Sequence, residues 1–213
     1  METVCQEVLI AELGEGEPGH SFGGTRWKVV SPPDASPPAC LFLTLDTRDS
    51  RLNLPDVGPY LPLCSRIDGM SESHDVYSFN HAERIVRFES STWSVPIEPE
   101  YLIPTPFEER RLRLRAPTTE EVSRDYDTII RTMLGGDGFI RIGGQPLWVL
   151  DPVDVTCDCS GPIQFVASIG NENYGRPSGI VTTSEPLFLG ELALHFFLCA
   201  SSSRIIVVTE PTG

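Results

Sequence analysis

The side chains best suited to chemistry lie in the last third of the chain. Cys157 and Cys159 stand one residue apart, and Cys199 follows in LALHFFLC, four positions after His195. Thiolate and imidazole are zinc ligands, and a structural zinc site takes four of them. On a strand, His195 and Cys199 face the same side, which allows the two to converge. Zinc usually sits between two C-x2–4-C pairs, whereas here the first is C-x-C and the second a single Cys. The reading therefore settles on no cofactor, with the thiols as small buried hydrophobes. A zinc site made of Cys157, Cys159, His195 and Cys199, structural or in a metal-dependent enzyme, is the alternative.

Other candidates carry less. A thiol nucleophile needs a base and a group that orients it, and His20, His74, His81 and His195 form no Cys-His signature. His74, Asp75 and His81 lie in HDVYSFNH without the i,i+4 helical spacing of a metal pair, and are read as loop. Glu108-Glu109 and Glu120-Glu121 read as solvated faces or a helix start. No G-x-S-x-G, H-E-x-x-H or EF-hand loop is present. No catalytic residue is assigned, and the chain is expected not to be an enzyme.

The elements that position these residues read as strands. LFLTL (41–45), QFVAS (164–168), LALHFFL (192–198) and IIVV (205–208) are short apolar or β-branched runs, and RLRLR (111–115) alternates strictly. The 19 Pro among 213 residues also favour short strands joined by turns. An internal repeat relates residues 21–47 to 141–170. Each copy has Gly-Gly, then Trp27 or Trp148, then a Pro/Asp turn, Cys40 or Cys159, and an apolar strand. A second Cys follows in each (Cys64, Cys199), and RIVRFE or RIIVVTE closes the copy. Gly-Gly here reads as a bend under the indole, because the Lys and helix of a phosphate loop are missing. Both Trp are expected in equivalent buried positions. One helix is expected near 118–134, capped by Thr118 or Thr119, with Val122, Tyr126, Ile129, Ile130 and Met133 as its apolar stripe and Gly135-Gly136 as its stop. The expected fold is mainly β: two pseudo-repeated halves, 1–106 and 137–213, packed as one unit around a connecting strand and helix at 107–136.

Residues 143–199, with GGQPLWVLDP, CDCSGPIQFVASI and LALHFFLC, resemble the YwqG-like family of uncharacterised bacterial proteins. The resemblance implies a duplicated, β-rich fold and no established activity. Many of its members pair cysteines at both positions, whereas Cys199 here stands alone.

Charge sets the class of partner. The net charge of −14 disfavours a nucleic-acid backbone and suits a basic protein. Residues 1–106 carry 16 acidic and 7 basic side chains, net −9; residues 107–213 carry 14 and 9, net −5. No apolar run is long enough to span a membrane, and the N-terminus lacks the basic n-region of a signal peptide. The expectation is a cytoplasmic, non-catalytic binding protein, most concretely an immunity protein that occludes a bacterial toxin. Glu12, Glu15, Glu17, Asp46, Asp49 and Asp56 are its candidate contact residues.

Overall fold

The computed structural model describes residues 7–15, 18–31, 38–66, 73–92, 106–122, 129, 134–136, 138–173, 175–181, 186–190 and 192–211. The apolar runs form strands, as their side-chain patterns require. In chain order these are β1 (Leu9–Leu13), β2 (His20–Phe22), β3 (Lys28–Val30), β4 (Cys40–Asp46), β5 (Tyr60–Ser65), β6 (Ser73–Asn80) and β7 (Ile85–Ser91). They continue with β8 (Arg110–Arg115), β9 (Leu134–Gly136), β10 (Ile140–Ile142), β11 (Ile163–Ile169), β12 (Asn171–Glu172), β13 (Leu192–Cys199) and β14 (Arg204–Pro211). HDVYSFN is therefore strand β6 and not a loop. The alternation in RLRLR sends Leu112 and Leu114 into the core and leaves Arg111 and Arg113 exposed.

Twelve strands make one sheet, ordered β3-β7-β6-β14-β13-β11-β10-β1-β8-β2-β4-β5, and it curls into a nearly closed barrel. β9 and β12 form a separate parallel pair. Phe42 sits among Phe22, Phe107 and Phe196 at ring separations of 6.2, 5.4 and 6.4 Å, with each of these rings buried. Burying each such ring stabilises the fold by about 1.5–3 kcal/mol.

The two halves are related by a pseudo-twofold axis that the strand register makes explicit. β1 lies antiparallel to β8, with Leu13 opposite Leu112 and Ala11 opposite Leu114. On the axis, Glu12 faces Arg113 and forms an ion pair at 2.8 Å. Moving outward, β2 corresponds to β10, β4 to β11 and β5 to β13. Gly23 N–H donates to Phe42 O, and Gly143 N–H to Val166 O. Phe42 and Val166 are both the extra residue of a β-bulge. Gly23 has φ +62° and Gly143 φ +72°, the left-handed region open to glycine. A Cβ at Gly23 would lie 2.7 Å from the Phe107 side chain.

Two expectations about the repeat change. The register places Cys40 opposite Ser65, where the other half has Gln164 opposite Leu198, and Arg66 where the other half has Cys199. The cysteines thus do not superpose, although the glycine pairs and bulges do. Trp27 is buried and meets His81 edge-on at 5.2 Å, whereas Trp148 is only half-buried against His195 and Phe197. The indoles therefore do not repeat.

Of the helix expected over 118–134, residues 123–128 and 130–133 lie outside the described residues, and among those described no helix reaches seven residues. At its expected start the chain forms a turn, in which Glu121 N–H donates to Thr118 Oγ1 at 3.3 Å and the Glu121 carboxylate accepts from Thr118 N–H at 2.6 Å. Ile129 packs against Leu147, Val149 and Ala193. Gly135 and Gly136 lie in β9 and do not terminate a helix. No helix among the described residues is long and apolar enough to cross a membrane.

Candidate metal centre

Two local structures deliver three thiols to one point. Cys157 to Ser160 form a turn closed by Ser160 N–H donating to Cys157 O at 2.8 Å. Ser160 takes φ +55° to make that reversal. Gly161 follows under the facing hairpin, where a Cβ would lie 2.8 Å from the Ser201 side chain. Cys199 ends β13, and a 3-10 turn, Ala200–Ser202, carries the chain into β14. Cys199 lies opposite Arg204 across that hairpin.

Cys159 Sγ stands 3.4 Å from Cys157 Sγ and 3.2 Å from Cys199 Sγ. All three sulfurs lie within 4.8 Å of one another. Cys199 is buried, Cys157 half-buried and Cys159 exposed, so the cluster opens to solvent on one side. Burial raises the Cys157 pKa, but hydrogen bonds from Ser202, the Cys159 backbone N–H and the two neighbouring thiols outweigh it, and the result falls to about 6. The Arg204 guanidinium lies beside the same sulfur and also pairs with Glu89 at 2.9 Å. Burial pushes the Cys199 thiol up instead. Gly161 N–H donates to Cys159 Sγ at 3.3 Å. The arrangement is a corner of three thiols with one cationic neighbour.

His195 is not part of it. Its Nδ1 bonds Ser168 Oγ at 2.7 Å and its Nε2 bonds Glu210 at 3.0 Å, all three side chains being buried. His195 and Cys199 do share a strand face, but four residues of strand span about 13 Å. Glu210 also accepts from Val149 and Leu150 N–H, so the Ser168–His195–Glu210 chain ties the 147–150 loop to the sheet. Those bonds hold the Glu210 carboxyl below its usual range against the effect of burial.

The candidate acidic contacts are scattered. Asp46 is fully buried and grips Arg48 at 2.6 and 2.8 Å, which lowers its pKa to about 2. Asp49 is buried too: it caps the 3-10 turn Ser50–Leu52 and binds His20 at 3.1 Å and Arg51 at 2.6 Å. The expectation that these two form a contact surface fails, because their charge is spent inside the loop. Glu12 is held between Arg113 and Arg115. Glu15 and Asp56 are exposed, and Glu17 lies outside the described residues. Asp75 is buried against Arg66 and Tyr77.

Two features escaped sequence reading. Ser202 and Arg204 complete the thiol corner, yet S-S-S-R carries no motif; only the hairpin brings them to Cys157. Beside the corner lies an open groove of about 520 Å³, lined by Trp148, Val155, Ile163, Phe165 and Phe197. Cys157 packs against the same apolar cluster.

No family model, curated protein or solved structure matches the chain. The resemblance of residues 143–199 therefore rests on its motifs alone.

Proposed function

We propose that this chain is a non-enzymatic β protein that binds one thiophilic metal ion through Cys157, Cys159 and Cys199. One observation carries the reading: three sulfurs from two separate elements lie within 4.8 Å of one another. Free thiols ordinarily behave as small hydrophobes, as Cys40 and Cys64 do in the core of the other half. Metal binding requires deprotonated thiols; the Cys157 thiol is shifted toward that state, while burial holds the Cys199 thiol against it. The reading reverses the expectation of no cofactor. The single Cys of the second position, Cys199, lies against the C-x-C turn from the end of β13, a meeting that spacing alone does not reveal.

The test is elemental analysis of the purified chain, followed by zinc titration of the reduced, metal-free protein. One equivalent is expected, and none for Cys157→Ser/Cys159→Ser with an unchanged circular dichroism spectrum. Wild-type protein that is folded and reduced but takes up no stoichiometric soft metal would overturn the reading. Capture of a basic partner stands second, supported by the net charge of −14 and by Glu15 and Asp56, which are exposed acids.

A further inference from the structure

We infer that the ion this corner selects is monovalent copper, bound by three sulfurs, in preference to zinc. The inference rests on the metal-binding reading above and names its ion. Structural zinc is almost always four-coordinate and tetrahedral. Among the described residues, the cluster within ligand distance contains the three cysteines and no histidine or carboxylate atom. His195, the natural fourth donor, is committed to Ser168 and Glu210. Ser202 Oγ stands 3.5 Å from Cys157 Sγ, where it hydrogen-bonds the thiol, and a neutral hydroxyl is a hard, weak donor for a soft ion.

Soft thiolates select monovalent copper and zinc among the common ions. These two differ in what they need beyond three sulfurs. A closed-shell monovalent ion is satisfied by a trigonal set, whereas zinc must recruit a water or an outside ligand at the exposed edge by Cys159. Three thiolates with monovalent copper carry a net charge of −2. The N–H of Gly161 and the Arg204 guanidinium, which also pairs with Glu89, face that charge from the protein side. The strands beneath are laddered independently of the ion, since Cys199 pairs with Ile163 and Arg204 through backbone bonds. Loading the site therefore requires no refolding.

The test uses the full chain, reduced and metal-free under anaerobic conditions. Monovalent copper and zinc are titrated separately against chromophoric chelators of known affinity, and copper is then added to the zinc-loaded protein. The expected result is one copper per chain, displacement of bound zinc by an equimolar amount, and three sulfurs around copper by X-ray absorption. Cys159→Ser, at an exposed position that leaves the fold intact, should lower copper affinity at least tenfold. Zinc that resists excess copper, a fourth protein nitrogen or oxygen on the ion, or one copper shared between two chains would overturn the inference. If neither ion binds, the metal-binding reading falls with it; if zinc binds and copper does not displace it, only this inference falls.

Discussion

At corresponding strand ends the two halves carry Arg66 and Cys199. Arg66 is buried. It binds Asp75 at 2.8 and 3.0 Å and Ser91 Oγ at 2.7 Å, and its guanidinium lies 4.8 Å from the Phe88 ring centre. Its backbone N–H donates to Tyr77 Oη at 2.9 Å. At Cys199 the partners are two other sulfurs, one of them exposed, and the corner faces solvent. One scaffold position is thus closed by a charge pair in one half and taken by a solvent-facing thiol cluster in the other. The other cysteines follow the same division. Cys40 and Cys64 are buried in apolar packing, and burial raises both thiols.

Breaking the closed corner should have the largest effect. Arg66→Ala strands the Asp75 carboxylate inside the sheet, so unfolding by denaturant should show a loss of about 3–5 kcal/mol. A loss below about 1 kcal/mol would mean that the Arg66 corner is as open as its counterpart.

The cysteines sharpen the contrast. Cys64→Ser places a hydroxyl in apolar packing and should cost about 1–3 kcal/mol. In metal-free protein Cys159→Ser should stay within about 0.5 kcal/mol, because that side chain is exposed. Equal costs at the two positions would remove the distinction between packing thiols and binding thiols.

Acid offers a third probe. The Asp46 pKa is depressed to about 2 by Arg48, so its folded carboxyl is harder to protonate than an unfolded one. The stabilisation is complete above about pH 4, the ordinary Asp value, and is lost as pH falls through the folded value near 2. Because Arg48 is well exposed, the pair contributes about 1 kcal/mol. The stability difference between wild type and Asp46→Asn should hold from neutral pH to about pH 4 and close toward pH 2. A gap unchanged at pH 2 would assign the role of Asp46 to shape alone.

The smallest effect belongs to the surface. Glu15→Lys with Asp56→Lys should change stability by less than about 0.5 kcal/mol, while slowing association with a basic protein probe at low salt. An association rate indifferent to both changes would place any charge-steered contact elsewhere.

Local pattern determined much of this protein. Apolar runs in LFLTL, QFVAS, LALHFFL and IIVV, and the strict alternation of RLRLR, leave a strand as the way to bury one set of side chains while keeping backbone bonds paired. The paired glycines marked the repeat, because only a left-handed bend there lets β2 and β10 approach their bulged partners. Acidity and the thiol-rich last third were equally plain. The order of strands belongs to the tertiary structure alone, since β14 meets β6 and β1 meets β10 across gaps that no periodicity spans. Side-chain partnership also had to wait for the fold. His195 and Cys199 share a strand face yet stand about 13 Å apart, so the histidine turns to Glu210 while the cysteine meets a turn from a different part of the chain. Asp46 and Asp49 read as surface charge until the loop folded back and surrounded them with His20, Arg48 and Arg51. Composition and spacing can specify which groups are available, but a ligand set or an ion pair depends on distances of a few ångströms, which only long-range packing establishes.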